Sequence, residues 1–223
     1  MNRFILKHGY LVTFVILAIL AWVVYRRVSA GGSALITLAV VAAIVWALGT
    51  FVFLYFWPSI TYSAYKRAIL QHGLGGGSVP VNTLYAAPTL SSPSAPGSSL
   101  MATGTNEVLY IGGWLDLSKG SFILHVPEMN GRYYSVQFTD PSDGANFAYV
   151  GTRTTGSQAG DFLITGPGWQ GSVPQGMQQI SSPNKSVLVV GRALVESDRD
   201  VATVYALSKQ IQLTPLSVWQ PGR

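Results

Sequence analysis

Two long apolar runs open the chain, and short alternating runs fill the rest of it. Residues 9–25, GYLVTFVILAILAWVVY, carry no charge, and neither do residues 34–56, ALITLAVVAAIVWALGTFVFLYF. The second run has 23 residues. As helix it measures about 34 Å, enough to cross a hydrocarbon core of roughly 30 Å. The first, with 17 residues, sits at the short limit for a span. Between them lies RRVSAGGS, a polar turn holding Arg26 and Arg27. The pattern predicts a two-helix transmembrane hairpin over residues 1–57. A cleaved signal peptide is the rival reading of the first run. There, Tyr25-Arg26-Arg27 would separate the apolar run from the cleavage-like Val28-Ser29-Ala30, an arrangement wrong for a signal.

From residue 106 onward the period changes. VLYIGGWLDL (108–117), SFILHVPE (121–128), RYYSVQFTD (132–140), NFAYVG (146–151), DFLITG (161–166), MQQIS (177–181) and SVLVVGRALV (186–195) are rich in β-branched and aromatic residues. Asn-Gly, Asp-Gly, Pro-Asn and Gly-Pro-Gly separate them. Short strands at such spacing predict a sandwich or small barrel. Residues 198–213 differ, with Val201, Val204, Tyr205 and Leu207 at helical spacing. Asp198 is the expected N-cap, because its carboxylate can accept a bond from a first-turn amide.

Residues 58–78 join the two patterns. Trp57-Pro58 is expected to end the second helix, with Tyr55, Phe56 and Trp57 as interfacial aromatic anchors. SITYSAYKRAILQH (59–72) reads either as a short juxtamembrane helix or as the last turns of a long one. The uncharged, Gly-, Ser- and Pro-rich residues 73–105 read as a linker, although VPVNTLY (79–85) suits an irregular arm lying on the domain.

Charge sharpens the membrane reading. Only 10% of residues are charged and there is no cysteine. Residues 1–105 hold six basic side chains and no acid, while residues 106–223 hold eight basic and nine acidic ones. The net charge of +5 therefore comes from the flanks of the apolar runs. A basic balance so placed points to lipid headgroups and argues against nucleic acid. Arg26, Arg27, Trp57, Lys66 and Arg67 are the candidate membrane-interface residues. Counted literally, basic residues place the large domain in the cytoplasm; long domains, however, translocate largely regardless of charge. The Ser-, Thr-, Gly- and Asn-rich domain suits export, with Arg26 and Arg27 inside.

Residue chemistry excludes several functions. GTRTTGS (151–157) has the glycine spacing of a phosphate loop but lacks the following lysine, and a β-type run succeeds it instead of a helix. A strand-to-strand turn is the expectation. His125 has no Gly-x-Ser-x-Gly partner, and its pairing with Asp140 on an adjacent strand is one arrangement among many. With no cysteine and one histidine in the domain, a zinc site is not expected. Asp140, Asp143 and Asn146 have the wrong spacing for an EF-hand and read as a turn. No metal or cofactor is expected.

GGWLDLSKG (112–120), VPEMNGRYYSVQFTD (126–140), GTRTTGSQAGDFLITGPGW (151–169), SPNKSVLVVGRALV (182–195) and LTPLS (213–217) occur in one order. Together they resemble the bacterial domain-of-unknown-function family 1254, over about residues 79–217. NEVLY (106–110) departs from the family's Asn-Ala-Asp-Thr-Leu-Tyr, and the preceding Arg-Pro is replaced by Gly104-Thr105. The resemblance implies an exported β-sandwich-like domain and no established reaction. A second β domain, family 1214, often follows on the same chain in such proteins and does not follow here. Within the resemblance, Asn106, Tyr110, Tyr134, Asp140, Arg153, Asp161 and Arg192 form the candidate ligand-binding or structural polar cluster. Arg153 is expected to pair with Asp161, and Arg192 to need a partner inside an apolar run. Tyr110, Tyr133, Tyr134 and Trp169 either line a cleft or serve as core and edge aromatics.

The fold class that follows is a membrane-anchored, mainly β protein. It has two N-terminal transmembrane helices and a β-sandwich or jelly-roll-like domain over residues 79–223 with one C-terminal helix. The expected role is an accessory or interaction subunit at the bacterial inner membrane. Its partners are the bilayer and another membrane protein, which Ala39, Ala42, Ala43, Ala47 and Gly49 would let approach closely. The alternatives are one half of a two-chain, hydrolytic enzyme completed by a separate β domain, and a ligand- or lipid-binding module.

Overall fold

The computed structural model describes residues 18–19, 21–31, 33–72, 78–91, 105 and 107–220. Contacts divide the chain into two compact units, Met1–Pro58 and Ser59–Arg223. In the first, residues 21–29 are helical and helix α1, Ala34–His72, begins. Among the described residues one helix, Leu35–Gln71, is long and apolar enough to cross a membrane. The first expected span, residues 9–25, lies largely outside the described residues. Leu35, Leu38, Val45, Trp46, Phe51 and Leu54 leave their side chains exposed all round α1. A helix apolar on every side belongs in a core or a bilayer.

Trp57-Pro58 does not end this helix, contrary to the sequence expectation. Helix α1 continues through Pro58 to His72, so residues 59–72 are the last turns of one 39-residue helix. Proline lacks one amide donor, but the ladder on either side is made from other residues and carries the helix on.

In the second unit the sheets explain the sequence pattern. Strand β1, Leu84–Ala86, starts the five-stranded sheet. It is joined by β2, Val108–Asp116; β4, Tyr134–Thr139; β5, Asn146–Gly151; and β8, Ser186–Leu194. The order is β1-β2-β8-β4-β5, antiparallel throughout. The second sheet holds β3, Phe122–Val126; β6, Gly160–Thr165; β7, Gln178–Ser181; and β9, Gln212–Pro215. Its order is β7-β6-β3-β9, with β6 and β7 parallel. Leu109, Ile111, Val187 and Val189 from one sheet share a core with Leu124, Phe162 and Ile164 from the other. Burial of such side chains contributes about 1.5–3 kcal/mol each.

The runs VLYIGGWLD and SVLVVGRAL are apolar with little alternation because both of their faces are buried. The inner face meets the second sheet. On the outer face, Tyr110, Trp114, Leu188 and Val190 cluster with Ile69 of α1, and Tyr62, Tyr65 and Leu70 pack against them. Residues 59–72 are thus part of this domain's packing. The arm at 79–85 is more regular than expected: Leu84, Tyr85 and Ala86 pair with Gly113, Gly112 and Ile111. Gly113 permits this, since a Cβ there would lie 2.2 Å from the Thr83 carbonyl oxygen.

The C-terminal helix is present but shorter than residues 198–213. Helix α2 is Val201–Ser208, preceded by a 3-10 turn at Asp198–Asp200, and its Val204 enters the core. Residues 212–215 form β9 instead, because Leu213 is needed opposite Leu124 in the sheet. Asp198 is not the cap: Ser197 and Asp200 hold the cap positions, and neither makes a side-chain cap bond. The Asp200 carboxylate instead accepts from Arg132 Nη1 at 2.6 Å and Nη2 at 3.0 Å, and from the Glu196 amide at 3.1 Å. Arg132 also donates to the Leu194 carbonyl at 2.8 Å, fastening the α2 entrance to the end of β8.

Two predictions follow from this packing. Gly113→Ala should displace β1 and lower stability by about 1–3 kcal/mol, read from the urea midpoint. The Arg132 guanidinium holds the Asp200 carboxyl below its usual 3.8. Its stabilising effect is therefore complete above that ordinary value and is lost as pH falls through the depressed folded value. Asp200→Asn should lower stability at neutral pH and flatten the acid limb of a urea-midpoint titration between about pH 5 and 2.

Candidate functional site

The polar positions singled out from sequence do not meet in one cleft. Arg192 stands on the outer face of the five-stranded sheet, in register with Tyr110. Its Cζ lies 5.6 Å from the Tyr110 ring, and its Nη1 donates to Gln137 Oε1 at 2.9 Å. A ring face and an amide oxygen are the partners it needs within an apolar strand. Tyr134 points the other way, into the core, with 1% of its surface exposed. Burial pushes its phenol up; among the described residues the oxygen meets no partner in hydrogen-bonding geometry, although the nearby Thr155 hydroxyl offsets part of that rise. Tyr110 and Tyr134 therefore serve opposite faces of one sheet. Asn106 lies outside the described residues.

The expected Arg153–Asp161 pair is replaced by other contacts. The Arg153 guanidinium lies over the Tyr133 ring at 5.4 Å. Asp161 faces His125 across β6 and β3, with Oδ1 2.7 Å from His125 Nδ1. Its Oδ2 accepts from Trp219 Nε1 at 3.3 Å. The reason is topological: residues 152–159 carry the chain from the edge of one sheet to the other, so the two side chains serve different layers. The same register gives His125 Asp161, not Asp140, as its acid.

The loop that opens this crossing uses its polar groups internally. The Thr155 amide donates to the Gly151 carbonyl at 2.8 Å, and Thr152 Oγ1 accepts from the Tyr134 amide at 3.1 Å. Gly156 has φ of 86°, a turn conformation. The threonines close a turn rather than a phosphate cradle. In the acidic turn, Asp140 Oδ1 accepts from the Ser142 amide at 2.8 Å and from Asn184 Nδ2 at 3.3 Å. Asp143 Oδ1 accepts from the Ala145 amide at 2.9 Å, and Asn146 Oδ1 accepts from the Thr139 hydroxyl. These carboxylates shape backbone. Among the described residues no group of three or more His, Asp or Glu side chains is arranged to hold a metal.

Of the interface candidates, Lys66 Nζ lies 5.5 Å over the Trp114 ring, and Arg26 lies 5.1 Å over Trp22. Arg27, Trp57 and Arg67 are exposed.

A cavity of about 410 Å³ lies elsewhere, where β2, β3, β6 and β9 end or begin. Its walls come from the 3-10 turn Leu117–Lys119, the Gly166–Trp169 turn and the residues around Pro215. The Leu216 amide donates to the Ser121 carbonyl at 2.9 Å, and the Trp219 amide to the Pro215 carbonyl at 3.1 Å. Trp219, tied to Asp161, thus anchors one wall. Sequence reasoning missed Lys119 and Trp219; the one signal for Lys119 was its isolation in the polar Ser-Lys-Gly turn.

The sequence model of the family described as Protein of unknown function (DUF1254) matches residues 81–215. The chain belongs to this family. No curated protein matches it significantly. Among solved structures, this DUF1254 chain is similar to the VPA0106 protein from Vibrio parahaemolyticus, a structural genomics target. Identity is 25% and the TM-score 0.53; the match covers 70% of this chain and 35% of that one. The DUF1254 chain thus spans about a third of that protein's length. The walls of the cavity come from residues 117–122, 166–169 and 215–217, the last of which reaches just past the matched stretch.

The packing around Arg192 predicts a structural role. Arg192→Ala should cost about 1 kcal/mol and lower Tm by about 2–4 °C. A variant with unchanged Tm would contradict that role.

Proposed function

We propose that this chain is a membrane-anchored accessory subunit that presents its β domain outside the bacterial inner membrane and docks another membrane protein. The observation that carries this reading is helix α1. Its residues from Leu35 to Trp57 are uncharged and mostly exposed, while Ile69, near its end, is 1% exposed in the cluster with Trp114. Ordinary signal peptides are removed after an apolar stretch of about 7–15 residues. Cleavage after His72 would strip Tyr110 and Trp114 of their cover, so any cut compatible with this domain falls before residue 59. The uncharged run 34–56 has 23 residues, longer than the apolar stretch of a signal peptide, which favours a retained anchor over a removed leader.

The remaining parts of the reading are argued from sequence. Residues 9–25 supply the first span of a hairpin, and Arg26 and Arg27 mark the cytoplasmic side. The Ser-, Thr- and Gly-rich composition of the domain suits the periplasm. Small residues on α1, among them Ala39, Ala43 and Ala47, favour close contact with a partner helix. The roles found for Arg192, Asp140 and Asp143 are structural, which favours an interaction protein over half of a hydrolase.

Topology is testable because the chain has no cysteine of its own. A single Gln158→Cys variant, at an exposed turn, should react with a membrane-impermeant maleimide in spheroplasts before lysis. Labelling only after lysis would reverse the orientation. Extraction in mild detergent with a C-terminal tag, then native sizing and mass spectrometry, should recover a stoichiometric membrane-protein partner. A chain that runs alone would overturn the accessory role.

A further inference from the structure

We propose that the cavity at the sheet ends is a binding site for a small organic anion with a flat, apolar body. Lys119 neutralises the charge and Trp169 receives the flat face. The cavity's volume of about 410 Å³ suits such a ligand. Leu117, Phe122, Pro215 and Leu216 give its lining an apolar part, and Lys119, Ser121 and Ser217 a polar one.

Charge decides the class of ligand. Among the described residues, Lys119 is the one ionisable side chain in the lining, and no carboxylate opposes it there. Among the described residues it forms no ion pair; those present are His125–Asp161 and Arg132–Asp200. Asp116, the acid whose field it shares, has Oδ1 engaged by the Ser118 amide at 3.0 Å and by the Ser118 hydroxyl. A cationic ligand would meet an ammonium with no counter-charge in the wall. An anionic oxygen group meets a complementary one.

The ring wall is held in place before any ligand arrives. Gly171 packs its backbone against the indole of Trp169 so closely that a Cβ there would come 2.3 Å from Cζ2. The Gly166–Trp169 turn, with Gly168 at φ of 74°, aims the ring at the cavity. The opposite wall, Pro215–Ser217, is fixed through Leu216 to Ser121 and through Trp219 to Asp161. Asp161 is thereby a positioning residue for this site. A pre-ordered aromatic face beside a single cation lowers the ordering cost of binding a planar anion. Carboxylate and phosphate share this chemistry, and the choice between them separates a free organic acid from a phosphorylated compound.

The test uses the full chain in an uncharged detergent with benzoate, phenyl phosphate and neutral benzyl alcohol as probes, followed by saturation-transfer NMR and calorimetry. At least one anion should bind saturably and more weakly as salt rises, with benzyl alcohol at least tenfold weaker. Lys119→Gln should weaken anion binding about tenfold or more, and Lys119→Arg should restore most of it. Trp169→Leu should abolish ring saturation, while Lys185→Gln, a basic change outside the lining, should leave binding intact. Asp161→Asn should weaken both anions alike without changing their ratio. Thermal melts establish that each variant is folded. Absence of saturable anion binding at millimolar concentration, or equal binding by folded Lys119→Gln, overturns the proposal. Neither result bears on membrane orientation or on a protein partner.

Discussion

The antiparallel pairing of β2 with β8 carries the domain. Nine residues on each strand are in register, from Val108 opposite Leu194 to Asp116 opposite Ser186. Both strands bury two faces, so the pairing is shielded from water along its length. Each neighbouring element takes its position from it: β1 reaches β2 through Gly113, β4 lies along β8, and the end of α1 closes the outer face. A one-residue slip of β2 would turn Leu109 and Ile111 outward and bring Tyr110 into the core.

Placing charge on such a scaffold is costly unless each group has a partner. The chain meets this constraint locally. Arg192 has a ring and an amide, Arg132 has a carboxylate and a carbonyl, and Asp161 has an imidazole and an indole. These contacts lie on different faces and serve different joints. The residues that look most like chemistry in the sequence are therefore used for assembly. Lys119 is the exception within the cavity lining, and its position among apolar walls is what gives the cavity a sign.

Two functional readings coexist because they draw on different parts of the chain. The anchor reading rests on an apolar helix whose last turns belong to the domain's packing. The binding site rests on three turns gathered at the ends of the sheets. Membership of the DUF1254 family describes the domain and leaves its chemistry to be read from these turns.

Much of the architecture was legible in the linear pattern. Seven strand segments, the apolar second run and the presence of a terminal helix follow from the period of the side chains, because burial imposes that period directly. Non-local events were not legible. Helix α1 passes Pro58 and packs Ile69 against the outer face of the five-stranded sheet, and Leu213 leaves a helical pattern to fill a place beside β3. The partners of Asp161 and Asp200 likewise come from segments distant in sequence: His125 and Trp219 for one, Arg132 for the other. The sequence by itself determined a β domain behind an apolar N-terminal region, since side-chain alternation and run length are local properties. Only the tertiary structure decided which polar groups meet and which three turns line a cavity, because those depend on strand order and register, which no single segment contains.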